Sequence, residues 1–64
     1  MNINGTEVQL SQDEITVVSQ LYGHIRFHGV EYAQRVANTW VDEAKDDDAK
    51  TRRQKAVRAL DLTA

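Results

Sequence analysis

The clearest pattern of apolar and polar positions lies in residues 30 to 44. At roughly 100° per residue, its large apolar and alanine side chains fall within one arc about 140° wide, and all its other side chains fall outside. The pattern predicts a helix over 30–45 that buries one face, with the only tryptophan of the chain hidden from water. The side chains in the arc are Val30, Ala33, Val36, Ala37, Trp40, Val41 and Ala44.

A β-hairpin is predicted over residues 2–10, around the dipeptide Asn4-Gly5. A two-residue type I′ turn needs positive φ at both central positions, which Asn and Gly tolerate best. Ile3 precedes the turn, and Val8 and Leu10 alternate with polar residues after it. Since a two-stranded hairpin is marginal alone, we expect its apolar face to pack on a helix.

A first helix is predicted over 12–27, beginning at the capping box formed by Ser11 and Glu14. The Ser11 hydroxyl would accept the Glu14 N–H, and the Glu14 carboxylate would accept the Ser11 N–H. Either Gly23 or Gly29 could end the helix; we favour an end within 23–28 and a turn at His28-Gly29. The stripe expected to face the core is Ile15, Val18, Leu21, Tyr22 and Ile25.

A third helix is predicted over 49–60, because the apolar stripe loses register between Ala44 and Ala49. Asp48 is the expected N-cap. The alternative is one continuous helix over 30–60, favoured by the i,i+4 pairs Asp46–Lys50 and Asp48–Arg52; we favour the break. The stripe of the third helix is thin, with Ala49, Ala56 and Leu60, Val57 at its margin and Arg53 inside it.

These elements predict one small α+β domain, mostly α, with an N-terminal hairpin followed by two to three helices. Sixty-four residues without cysteine exclude a disulfide framework and thiolate catalysis. A net charge of -2 does not favour general binding to polyanions. We see neither a signal peptide nor an apolar run of the ~20 residues that would span a bilayer. We therefore expect a cytoplasmic protein, in the host cytoplasm if it is viral, without a membrane partner.

Candidate catalytic and metal-binding residues are few. His24 and His28 are spaced i,i+4 and would share a helix face, but zinc requires at least three protein ligands. No nucleophile elbow and no phosphate-binding glycine motif is present. We expect a protein that is not an enzyme, with no metal and no cofactor.

The basic residues favour an alternative function. Lys50, Arg52, Arg53, Lys55 and Arg58 could contact phosphates in a homodimeric, ribbon-helix-helix-like nucleic-acid-binding regulator. The acidic run directly before them would repel the same phosphates, so we favour a solvated helix face or a bipolar surface for docking a protein.

Phe27 and Tyr32 lie off the apolar stripes. Exposed aromatic side chains on a small protein are candidates for a contact surface; alternatively, Phe27 folds over the helix junction as a clamp. We expect a small non-enzymatic protein-binding module, an accessory or modulator of viral or mobile-element type, that acts by occupying a partner protein. Its expected contact residues are Phe27, Tyr32, Arg52 and Arg53, and we also expect it to form a homodimer.

Overall fold

A computed structural model describes residues 1–62 of the chain. An antiparallel hairpin of β1 (Asn2–Ile3) and β2 (Thr6–Glu7) is followed by three helices, α1 (Gln12–His28), α2 (Val30–Asp42) and α3 (Asp47–Ala59). This architecture confirms the predicted α+β fold with a predominance of helix.

The hairpin turns at the predicted dipeptide. Asn4 and Gly5 have φ values of 50° and 91°, as a type I′ turn requires, and Ile3 pairs with Thr6 across it. The strands are shorter than the predicted 2–10, because Val8, which exchanges backbone hydrogen bonds with Met1, is the last residue to pair before the chain leads into α1. The apolar face is nevertheless formed, with Ile3 and Val8 buried.

The capping box at the start of α1 is present as predicted. The Ser11 hydroxyl accepts the Glu14 N–H at 3.3 Å, and the Glu14 carboxylate accepts the Ser11 N–H at 3.0 Å. The helix continues through Gly23 and ends at His28, within the predicted range 23–28 and one residue beyond the span 12–27. Gly29 separates α1 from α2 with φ 94° and ψ 163°, a conformation that is essentially restricted to glycine.

The break before the third helix is confirmed, and one continuous helix over 30–60 is wrong. α2 ends at Asp42 rather than at residue 45, and α3 covers Asp47–Ala59 rather than 49–60. The cap is Asp46, not Asp48: its carboxylate accepts the Ala49 N–H at 2.8 Å. The loss of apolar register predicted the position of the break. It did not predict which of three consecutive aspartates caps α3, because each of them could serve as an N-cap and the tertiary structure selects one.

The core lies where the apolar faces of α1, α2 and α3 meet the hairpin. Trp40 is 7% exposed, as the pattern on α2 predicts. Two expected core residues are exposed: Tyr22, at the edge of the α1 stripe, is 40% exposed, and Val30, the first residue of α2, is 49% exposed. Four others are half-buried, namely Ile15, Ile25, Val36 and Ala44. The principal core side chains are Ile3, Val8, Val18, Leu21, Ala33, Ala37, Trp40, Val41, Ala56, Val57, Leu60 and Leu62.

The end of α3 adds a core residue that the sequence pattern did not identify. Asp61 has a positive φ of 60°, the Leu62 N–H donates to the Val57 carbonyl and the Asp61 N–H donates to the Arg58 carbonyl. This is the hydrogen-bond pattern of a Schellman motif. It turns Leu62 back onto the helix and buries it.

Candidate contact surface and buried ion network

The exposed large apolar side chains of residues 1–62 all belong to the last two turns of α1 or the first turn of α2, on either side of the helix junction. They are Tyr22, Phe27, Val30 and Tyr32, and we call them the junction surface. Their exposed fractions range from 40% for Tyr22 to 76% for Phe27. Two of them, Phe27 and Tyr32, are predicted contact residues.

Phe27 does not act as a clamp over the helix junction. Three quarters of its surface is exposed, and the Arg26 guanidinium carbon lies 5.7 Å from its ring centroid. At an exposed site such a cation–π contact is weak. Phe27 is therefore presented to solvent.

Tyr32 is positioned by the two histidines of α1. Its ring centroid lies 5.0 Å from that of His24, in an edge-to-face arrangement, and 5.1 Å from that of His28. His24 is half-buried and His28 is exposed. Within residues 1–62, no group of three or more candidate ligand side chains could hold a metal ion. The i,i+4 histidine pair thus supports an aromatic side chain of the junction surface.

Arg52 and Arg53, the other two predicted contact residues, meet at the opposite end of α1. Their Nε atoms donate to Glu14 Oε1 at 3.3 Å and Oε2 at 3.2 Å. Glu14 is 3% exposed, so α3 is joined to the start of α1 by a buried carboxylate. The predicted contact residues consequently lie in two separate places.

Arg53 is the more deeply placed of the two arginines, with 18% of its side chain exposed against 40% for Arg52. Its Nη1 donates to the Trp40 carbonyl at 2.6 Å, and its guanidinium carbon lies 5.1 Å from the indole centroid. Arg53 therefore packs on α2 as well as pairing with Glu14. Its place inside the thin stripe of α3 was the one feature of the sequence that could have indicated this role.

The ionisation of Glu14 reflects opposing effects. Burial raises the pKa of its carboxyl, but the Ser11 N–H and the guanidinium groups of Arg53 and Arg52 outweigh burial and hold the pKa below its usual value. The carboxylate is thus charged and fully engaged at neutral pH. The capping box predicted only that Glu14 caps α1. Its second function, binding the arginines of α3, was not predictable locally, because those residues are 38 and 39 positions away in sequence.

The remaining cations of the alternative nucleic-acid site, Lys50, Lys55 and Arg58, are exposed on α3. Lys50 and Arg58 line a depression between α2 and α3, together with Asp42. Of the five predicted phosphate-binding cations, two are therefore paired with Glu14, and two more line the same depression as Asp42.

A second depression, which we call the α1–α2 groove, runs between the first two helices. Its floor is apolar, with Val17 and Val36 half-buried beside the edge of Trp40. Its edge carries one cation and one anion, Arg35 and Glu43. The lining is completed by Gln20 and Thr39.

None of the helices in residues 1–62 combines the length and apolar character needed to cross a bilayer. Comparison with protein families, with curated proteins and with solved structures found no match to this chain.

Proposed function

We propose that the protein is a small non-enzymatic protein-binding module, an accessory or modulator of viral or mobile-element type, that acts by occupying a partner protein. The junction surface is its contact surface, with Phe27 as the central anchor and Tyr32 beside it.

The observation that carries this proposal is the clustering of exposed apolar side chains. Single exposed apolar residues are normal on any protein, but a contiguous group is typical of an interaction site. All four large examples among residues 1–62 fall within 22–32, in a chain whose other apolar side chains mostly pack in the core. Aromatic side chains are also the residue type that most often dominates binding energy at an interface.

The role of Arg52 and Arg53 in this proposal changes. Both bind Glu14, so they support the packing of α3. The same ion pairs weaken the nucleic-acid alternative, because they remove two of its five cations. In addition, β2 pairs with β1 of its own chain, whereas a ribbon-helix-helix dimer pairs this strand between subunits.

The test compares capture of proteins from a lysate of the source cells by four immobilised chains: wild type, Phe27→Ala, Tyr32→Ala and Lys55→Ala. Lys55 is exposed on α3 and is the matched control. We expect one or more proteins to be retained by wild type and Lys55→Ala and lost with Phe27→Ala and Tyr32→Ala. An identical set of captured proteins on all four chains would overturn the proposal.

A second arm measures binding to a labelled DNA duplex at low salt. We expect no shift of the duplex. Binding that weakens steeply with salt, and whose salt dependence flattens with Lys55→Ala, would support the nucleic-acid alternative instead.

A further inference from the structure

The α1–α2 groove has charges that its own chain does not satisfy. Among residues 1–62, the ion pairs involve Glu14 and the N-terminal amine, and neither Arg35 nor Glu43 takes part in one. The two are eight residues apart on and just beyond α2, which separates them by about 12 Å along the helix axis. They are therefore too far apart to pair with each other.

The arrangement of these charges is self-complementary. Thr39 lies midway between Arg35 and Glu43 in sequence and lines the same groove. If two copies of α2 lie antiparallel across a two-fold axis at Thr39, each Arg35 faces the Glu43 of the second copy. A two-fold interface requires this reciprocity, in which residue i meets j and j meets i.

An antiparallel arrangement brings unlike charges together at both ends of the groove, because Arg35 lies at one end and Glu43 at the other. A parallel arrangement would set Arg35 against Arg35 and Glu43 against Glu43.

We propose that the α1–α2 groove binds a second copy of this chain, forming a two-fold dimer in which α1 and α2 of each copy pack as a four-helix arrangement. The apolar floor of Val17 and Val36 provides the burial, and the two Arg35–Glu43 pairs set the antiparallel register. This inference goes beyond the proposed function and does not depend on it, because Phe27 lies outside the groove lining.

A small specific interface buries roughly 1,200 Å² in total, or about 600 Å² from each copy. That is about one seventh of the 4379 Å² exposed by one chain. Since exposed ion pairs contribute little each and are screened by salt, we expect a weak dimer that dissociates more readily at high ionic strength.

The experiment is a charge exchange monitored by sedimentation equilibrium. Arg35→Glu sets two carboxylates against each other at both contacts of the dimer, and Glu43→Arg sets two guanidinium groups against each other. Each variant alone should therefore dimerise about tenfold more weakly, or worse. An equimolar mixture of the two variants restores an unlike pair at both contacts, and we expect the mixture to recover the mass of two chains.

A matched control separates this contact from a general effect of charge. Lys50→Glu reverses a basic charge as Arg35→Glu does, but Lys50 lines the depression between α2 and α3. This control should keep the wild-type dimer. Circular dichroism of each variant establishes that it is folded, which we expect because Arg35 and Glu43 are exposed.

Three results would overturn the inference. They are a wild-type chain that remains a single copy at millimolar concentration, a dimer that both charge variants leave intact, and a mixture that stays dissociated although each variant is folded. Phe27→Ala should leave the dimer unchanged, so a failure of this inference is distinguishable from a failure of the proposed function.

Discussion

The two ends of the α1–α2 pair use their aromatic residues in opposite ways. At the end where α1 begins, Trp40 is 7% exposed and is covered by Arg53, which is held in turn by Glu14. At the end where α1 meets α2, Phe27 is 76% exposed and has only Arg26 over its ring. The first end stabilises the fold, whereas the second is available for a contact.

The difference in exposure between Trp40 and Phe27 shows how a small domain divides its limited apolar surface between the core and the exterior. A chain of this size buries only about 60% of the surface that it exposes when unfolded, so its stability is marginal. Leaving three aromatic side chains outside the core sacrifices stabilisation that the domain could use. We expect the Trp40 end to contribute most of the stability and the junction end little, and the following substitutions test this division.

Trp40→Ala should have the largest effect, a loss of about 3–5 kcal/mol in the free energy of unfolding, because a large buried side chain is replaced by a cavity. For a marginal domain, such a loss leaves the chain largely unfolded. Urea unfolding followed by circular dichroism measures it. An unchanged midpoint would show that the indole contributes nothing to the core.

Glu14→Gln should lower the free energy of unfolding by about 1–3 kcal/mol, because two guanidinium groups lose their anionic acceptor. The matched control is Glu7→Gln, whose carboxylate pairs with the N-terminal amine at an exposed site; its effect should stay within about 0.5 kcal/mol. Equal effects of the two substitutions would mean that burial adds nothing to the Glu14 network.

Acid should weaken the fold through the same carboxylate. The pKa of Glu14 is lower in the folded protein than its ordinary value of 4.5, so its stabilisation is fully present above that value and is lost as the pH falls through the folded pKa. The difference in free energy of unfolding between wild type and Glu14→Gln should be constant at mildly acidic to neutral pH and shrink below 4.5. A difference that stays constant throughout would exclude this linkage.

The two glycines of the α1–α2 pair should respond in opposite directions. Gly29→Ala should cost about 1–2 kcal/mol, because φ 94° strains an L-residue. Gly23→Ala should stabilise by about 0.5–1 kcal/mol, because Gly23 lies inside α1 with open space around its Cα. Thermal midpoints compare them, and a destabilised Gly23→Ala would show an unrecognised role for that residue.

Phe27→Ala should have the smallest effect on stability, within about 0.5 kcal/mol, because its side chain buries little surface. Unfolding of this variant under conditions where wild type is folded would place Phe27 in the core. That result would remove the distinction between the two ends.

Much of the fold was predictable from local patterns in the sequence. Asn4-Gly5 defines the turn, Ser11 with Glu14 starts α1, and the pattern around Trp40 defines the buried face of α2. Each depends on residues that are close in sequence or repeat at the helical period. The exposure of Tyr22 was not predictable in this way, because a residue at the edge of a stripe is buried only if another element reaches it.

The sequence alone determined the order of the elements, the break before α3 and the burial of Trp40, since turn chemistry, capping and periodicity act over a few residues. Only the tertiary structure decided that Asp46 caps α3, that Leu62 closes the core and that Arg52 and Arg53 bind Glu14. It also placed Arg35 and Glu43 along one groove with an apolar floor. Some of these contacts join residues far apart in the chain, and the cap of α3 is one of several equivalent neighbouring residues. In both cases the outcome depends on three-dimensional packing, which a local sequence pattern does not contain.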